Sequence, residues 1–266
     1  MLNGRIEHAG ALRISPLSEG FQFGYGVFTT LRLVGGRPAM MTEHHGRLTV
    51  QAAALDLGRP SEIAELKERC LMLAREAGAC DGALRITWFR DVEGTSELIQ
   101  LRPTTYAPEL YRLGARLYRV EAEGGATLSG LKTIAYLRFL RAKRAAAGAG
   151  FDEALLVTAG GRVLEGATTN VFCVLEGVLA TPPESEGLLP GVVRGAILKG
   201  SCGVGALERA ITWDELLGAQ EVFVTNSVMG VMPVRGLGDR LLASAGGPIT
   251  REVTKGWAGL EAASLE

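Results

Sequence analysis

Apolar and polar positions change their spacing several times along the chain, and each change marks an element. Residues 21–34 (FQFGYGVFTTLRLV) are dense in aromatic and β-branched side chains and predict a strand, which Gly35-Gly36 turns back into residues 38–41. The spacing then lengthens. Leu48, Ala52 and Leu55 recur at helical intervals, so a helix runs to residue 57 with Thr42 as its N-cap. Pro60-Ser61 opens a second helix that aligns Ile63, Leu66, Cys70, Leu73 and Ala77 on one face, and Gly78 closes it. Residues 83–89 and 97–101 read as strands joined by a charged, glycine-containing turn, and residues 113–121 as a further extended segment.

Residues 123–129 (EGGATLS) are small, polar and flexible, the composition of a linker. Beyond them the pattern restarts with a helix over 133–147 and strands over 153–158, 163–164 and 170–175. A loop with Pro182-Pro183 follows, then helices over 192–199 and 213–217, strands over 221–225 and 232–234, and a short C-terminal helix. Strands and helices mix in both halves and no repeat of 20–50 residues recurs. The expected architecture is α/β (α+β) in two domains: a smaller one over 1–122, a linker over 123–130 and a larger one over 131–266.

Composition narrows the chemistry. Of 266 residues, 47% are apolar and 21% charged, a globular balance. A net charge of −1 argues against sequence-independent nucleic-acid binding. No Cys-x-x-Cys or His-Glu-x-x-His occurs, so no metal is expected, and the four scattered cysteines suit free thiols in a reducing compartment. The opening MLNGRIEHAG has no apolar signal-peptide core. No run approaches the roughly 18 apolar residues of a membrane span, so a cytoplasmic protein without membrane contact is expected. There is no Gly-x-Ser-x-Gly elbow, and of three histidines the His44-His45 pair reads as a solvated or capping pair.

Lysine is the remaining nucleophile, and the 28 Lys+Arg include only five: Lys67, Lys132, Lys143, Lys199 and Lys255. Lys67 and Lys143 sit among charges, Lys199 at a helix end and Lys255 in the tail. Only Lys132, in SGLKTIAYL, has a mainly apolar neighbourhood. A desolvated lysine loses basicity and can form a Schiff base at neutral pH, although a lysine snorkelling from a core edge reads the same way. Glu165 is an acid among apolar residues, either a turn carboxylate or the partner of a protonated pyridine nitrogen. LLPGVVRGAIL leaves the amides of Val192 and Val193 open to an anion at a helix start, and FVTNSVMGVMPV puts Thr225, Asn226 and Ser227 on a turn after a strand.

Six blocks in this order resemble the class IV (fold type IV) pyridoxal-phosphate enzymes, which include branched-chain and D-amino-acid aminotransferases and aminodeoxychorismate lyases. They are FGYGVFTTLRL, EHHGRL, LKTIAYLRFLRAKRAA, EALLVTAGGRVLEGATTNVF, LPGVVRGAIL and EVFVTNSVMGVMPV. The resemblance implies pyridoxal 5'-phosphate as cofactor at a domain interface, and a homodimer. It further implies that Lys132 bonds to the cofactor and shuttles the substrate proton, and that Glu165 pairs with the ring nitrogen. Arg47 would reach the phosphate with the amides of Val192 and Val193 and with Asn226 or Ser227, and Tyr136 would lie near the cofactor.

Within that family Phe28-Thr29-Thr30-Leu31-Arg32 looks more like the lyases than like the Phe-Glu-Gly-Ile-Arg of branched-chain aminotransferases. The resemblance therefore implies a 4-amino-4-deoxychorismate lyase acting on a small-molecule amine, with Thr30 helping to protonate the leaving group. Arg85 and Arg90 are the candidates for substrate carboxylates, with paired surface arginines the competing reading. A class IV aminotransferase is the alternative, and a non-catalytic cofactor binder or interaction scaffold the second. Two departures from the family pattern bear on substrate: Tyr25 replaces the common Asp between Gly24 and Gly26, and residues 120–130 are short and lack an arginine often found there.

Overall fold

A computed structural model describes residues 1–8, 10–104, 106–122, 130–242 and 245–266. The chain forms two compact units. One comprises Met1–Thr105, Leu131–Tyr136 and Glu261–Glu266, the other Tyr106–Gly130 and Leu137–Leu260.

The first unit contains α1 (Glu19–Phe23), β1 (Gly26–Val34), β2 (Arg37–Pro38), α2 (Met41–Ala54), α3 (Ile63–Glu76), β3 (Gly82–Asp91) and β4 (Gly94–Arg102). Its four strands pair antiparallel in the order β2-β1-β3-β4. Strand alternation sends Val27, Leu31, Leu33, Leu84 and Ile86 to one face, where they bury against Leu48 and Ala52 of α2 and Leu66 and Cys70 of α3. The expected strand over 21–34 begins only at Gly26. Its first residues form α1, because Ser18 caps the amide of Phe21 and Gly24 closes the turn at φ +68°. A side chain at Gly24 would also meet Ala135 Cα at 2.9 Å, so glycine is required there twice over. Capping thus outweighs the β preference of Phe21 and Phe23.

The second unit contains α4 (Pro108–Leu113), β5 (Ala115–Glu121), α5 (Leu137–Gly148), β6 (Glu153–Val157), β7 (Val163–Gly166), β8 (Asn170–Leu175), β9 (Val178–Thr181), α6 (Val192–Leu198), β10 (Leu207–Glu208), α7 (Trp213–Leu217), β11 (Glu221–Asn226), β12 (Gly230–Leu237), β13 (Arg240–Leu241) and most of α8 (Pro248–Ala263). Nine strands make one sheet, β10-β9-β8-β11-β12-β5-β6-β7, with β13 on β12. Leu117, Leu155, Val171, Cys173, Val222 and Val234 form the centre of its core. The C-terminal helix has 16 residues and is not short.

The boundary differs from the expected one at two places. β5 lies in the second unit, because it pairs in parallel with β6 and β12. Leu131–Tyr136 belongs to the first unit, because it runs along β1: Phe28 N–H donates to Lys132 O at 2.8 Å and Ile134 N–H to Gly26 O at 2.9 Å. That pairing holds the segment extended and delays α5 from the expected 133 to Leu137. Of the expected linker, 123–129 lie outside the described residues. Among the described residues no helix is long and apolar enough to cross a membrane.

Candidate functional site

In the first unit the chemistry gathers around β1. Phe28 and Thr30 alternate to the face opposite the core, and Thr30 stands in register with Arg85 of β3. The Lys132 ammonium lies 4.9 Å from the centroid of the Phe28 ring and 5.9 Å from that of Tyr136, and the two rings meet edge to face at 5.5 Å. The Arg85 guanidinium covers the same Phe28 ring at 3.5 Å. Burial first, with the charge of Arg102 behind it, pulls Arg85 down to about 10. Lys132, Thr30, Arg85 and Tyr136 therefore share one neighbourhood.

Arg90 does not join them. It is five residues beyond Arg85 on one strand, so the period of two turns it to the other face, where it donates to the Asp56 carbonyl at 2.6 Å. Tyr25 likewise has a local role, its hydroxyl donating to Leu55 O at 2.7 Å at the end of α2.

Arg47 rises from α2 towards the core side of β1 and donates from Nη2 to the Thr29 hydroxyl at 2.9 Å. Burial pulls its pKa down to about 10. His44, one turn earlier, is 1% exposed and lies 2.6 Å from the same hydroxyl through Nδ1. It is no solvated cap. Burial, then the charges of Arg47 and Lys132, hold it well below 6.5. One turn beyond Arg47, buried Gln51 accepts the backbone N–H of Lys132 through Oε1 at 3.3 Å. Sequence reasoning missed Thr29, His44 and Gln51 as site residues. The available signal was polar residues 44, 47 and 51 at i, i+3 and i+7, falling beside Leu48 and Ala52 on one face of α2.

In the second unit Glu165 lies on β7, one residue before its end, and is 7% exposed. Its Oε2 accepts from the Leu189 amide at 3.1 Å and from Asn170 Nδ2 at 3.4 Å, while the same Asn170 amide donates to Leu189 O at 2.9 Å. Glu165 also lines a cavity of about 530 Å³, together with Leu156, Leu164, Phe139, Arg138 and Arg141. Gly191 precedes α6 and allows a close approach, since a Cβ there would lie 2.0 Å from Asn170 Oδ1. Gly191 offers no side-chain cap to α6, and the first-turn amides, Val192 and Val193 included, have no acceptor within the helix.

Asn226 is used by its own turn. Its Oδ1 accepts from Val228 and Met229 amides at 3.0 and 2.8 Å, and its Nδ2 donates to the Tyr106 hydroxyl at 3.0 Å. Ser227 is half-buried beside it on that turn. The neighbouring Thr225 hydroxyl is buried with no hydrogen-bond partner among the described residues.

Comparison with known proteins adds three observations. Residues 26–237 match the family described as amino-transferase class IV. D-alanine aminotransferase of Bacillus licheniformis is 28% identical over 95% of this chain and 93% of its own, and aminodeoxychorismate lyase of Bacillus subtilis is 28% identical over 87% and 84%. A branched-chain aminotransferase of Thermoproteus uzoniensis, solved with norvaline, is similar in structure at a TM-score of 0.86 and 27% identity, covering 97% of this chain and 92% of that one.

Proposed function

The chain belongs to the class IV aminotransferase family, and within it we propose that the protein is a 4-amino-4-deoxychorismate lyase that releases pyruvate and leaves 4-aminobenzoate. It is a pyridoxal 5'-phosphate enzyme, as the family is. The residues present fit that cofactor. His44 feels the positive charges of both Arg47 and Lys132, a field suited to a phosphate dianion. Glu165 is a buried carboxylate that lines a cavity, suited to a protonated ring nitrogen.

When bound, pyridoxal phosphate supplies an electron sink for charge at the amine-bearing carbon. The chain's own residues do the rest. Lys132 would be the residue that holds the cofactor covalently and, once the substrate amine has replaced it, the base for the proton on the amine-bearing carbon; its backbone is fixed by Gln51 and by β1. Glu165 would be the carboxylate to pair with a protonated ring nitrogen. Within the first unit Arg47 would be the candidate to hold the phosphate; within the second, the candidates would be the Val192 and Val193 amides and Ser227, with Asn226 shaping the turn beside Ser227. Tyr136 buttresses the Phe28 ring beside Lys132. Arg85 takes a substrate carboxylate.

The observation that carries the lyase reading is Thr30. An elimination needs a proton donor for the departing oxygen, and the Thr30 hydroxyl stands on the face of β1 that Lys132 and Arg85 share. Transamination by this chain is the second reading, favoured by the equal identity to D-alanine aminotransferase. The buried thiols of Cys70, Cys173 and Cys202 support a cytoplasmic location, and the exposed apolar residues of α1 support a homodimer.

The test supplies 4-amino-4-deoxychorismate to the holoenzyme and measures pyruvate and 4-aminobenzoate, then supplies branched-chain or D-amino acids with 2-oxoglutarate and measures glutamate. Aminobenzoate in stoichiometric amount with pyruvate is expected, together with loss of product and of the cofactor's visible absorbance in Lys132→Ala. Glutamate without aminobenzoate would replace the lyase with the aminotransferase.

A further inference from the structure

On the first sheet, the face opposite the core carries arginines that differ in what balances their charge. Alternation and register place Thr30 and Arg32 of β1, Arg85 of β3, and Gln100 and Arg102 of β4 on that face. Thr30, Arg85 and Gln100 form one row across three strands, and Arg32 and Arg102 belong to the next. Arg32 is neutralised by Glu261 at 2.9 Å. Among the described residues neither Arg85 nor Arg102 pairs with a carboxylate. Arg85 Nε donates to the Thr87 hydroxyl at 3.4 Å, and Arg102 Nη2 donates to Gln100 Oε1 at 2.9 Å.

Arg102 is the diagonal cross-strand neighbour of Arg85, a separation of about 7–8 Å between Cα atoms. Its charge reaches Arg85 and helps to lower that group's pKa. Thr87 and Gln100 lie towards the same end of the sheet, so the two guanidiniums lean the same way and stay in tandem. Like charges at this spacing repel, and an acid between them would relieve the strain. The position directly across from Arg85 is instead Gln100, whose oxygen orients Arg102 without cancelling its charge. The uncompensated charge suits a ligand with two anionic groups, since each guanidinium can take a carboxylate through two parallel hydrogen bonds.

We propose that this face takes a substrate with two anionic groups, the first on Arg85 and the second on Arg102, with Gln100 as the positioning residue for Arg102. The inference rests on the reading of Arg85 as a ligand of a substrate carboxylate. Arg85 shares the Phe28 ring with Lys132, so the group on Arg85 is the one nearer the reacting amine. An amine with two carboxylates, such as 4-amino-4-deoxychorismate, engages both guanidiniums. An amino acid with one, such as alanine, leaves Arg102 uncompensated.

The test titrates the holoenzyme calorimetrically with isophthalate, a rigid dicarboxylate, and with benzoate, its monocarboxylate counterpart. Neither has an amine to be turned over, so the result is independent of which reaction the enzyme performs. The wild type is expected to bind isophthalate more tightly than benzoate. Arg102→Gln should weaken isophthalate about fivefold, the upper range for an exposed ion pair, and leave benzoate within twofold. Gln100→Glu keeps an acceptor for Arg102 but adds the missing negative charge. It should weaken isophthalate at least as much, with the melting temperature no lower, whereas a merely structural Gln100 would tolerate the change. Arg85→Ala is the control and should lose both ligands. A wild type that prefers neither ligand, or a ratio of affinities unchanged in Arg102→Gln, overturns the second anion site and leaves the Arg85 assignment standing. Isophthalate affinity kept in Gln100→Glu overturns the role of Gln100. Benzoate binding kept in Arg85→Ala removes the Arg85 assignment and this inference together. The lyase reading fails separately, in the assay of pyruvate and 4-aminobenzoate.

Discussion

Because His44 is buried beside two cations, its protonation ties the stability of the fold to pH. Its folded pKa lies well below 6.5, and an unfolded chain protonates it near 6.5. Between those values the unfolded state binds more protons, so stability rises with pH there. The contribution is full above 6.5 and is lost as pH falls towards the folded value, at up to about 1.4 kcal/mol per pH unit. Glu153 and Glu261 work in the opposite sense, since burial raises their carboxyls and the stability they lend is lost as pH rises above 4.5. A comparison with His44→Asn removes those common contributions. Urea unfolding at pH 7.5 and pH 5.5 is expected to show the wild type losing more stability than the variant on acidification. Equal losses would mean that His44 is not held neutral. The sequence did not disclose this residue, because adjacent histidines beside a glutamate look solvated until β1 covers one of them.

Strands and helices differ in how much of their work can be read from spacing. The period-two pattern of β1 and β3 and the apolar stripe of α3 were legible, and the observed β1, β3 and α3 lie within a few residues of the expected segments apart from the start of β1. α1 was not legible, because two aromatics in five residues read as strand and only the caps at Ser18 and Gly24 say otherwise. Alternation also separates two arginines that composition treats alike. Arg85 shares its face of β3 with Lys132's neighbours, while Arg90 faces the loop after α2. Steady-state kinetics on 4-amino-4-deoxychorismate should therefore show Arg85→Ala raising KM about tenfold, the loss of one charged hydrogen-bond partner. Arg90→Ala should stay within about twofold. An equal effect of the two substitutions would remove strand alternation as the basis for choosing Arg85.

At the scale of the whole molecule, what spacing could not supply was the pairing of segments far apart in sequence. Lys132 was singled out by elimination, but its junction with β1 and its backbone bond to Gln51 depend on contacts across more than 80 residues. The same limit applies to surfaces, where the chain leaves apolar groups uncovered. Leu17, Phe21 and Phe23 are 71%, 69% and 71% exposed, and they cluster within seven residues at α1. Rings that contribute nothing to their own core, on a helix held by its caps, are what an interface residue looks like before its partner arrives. A second copy is the occupant we predict, since self-complementary twofold contacts are the commonest oligomers. A stable interface needs about 800 Å² per partner, so α1 can anchor one without forming all of it. Sedimentation of the wild-type protein should give twice the 28.2 kDa of the chain. Phe21→Glu with Phe23→Glu should move it towards the single-chain mass with the circular dichroism unchanged, because Ser18 and Gly24 still cap the helix. A wild type that sediments as one chain would remove the dimer. A double variant that stays paired would exclude α1 from the interface and return its exposed rings to being an unexplained feature of the surface.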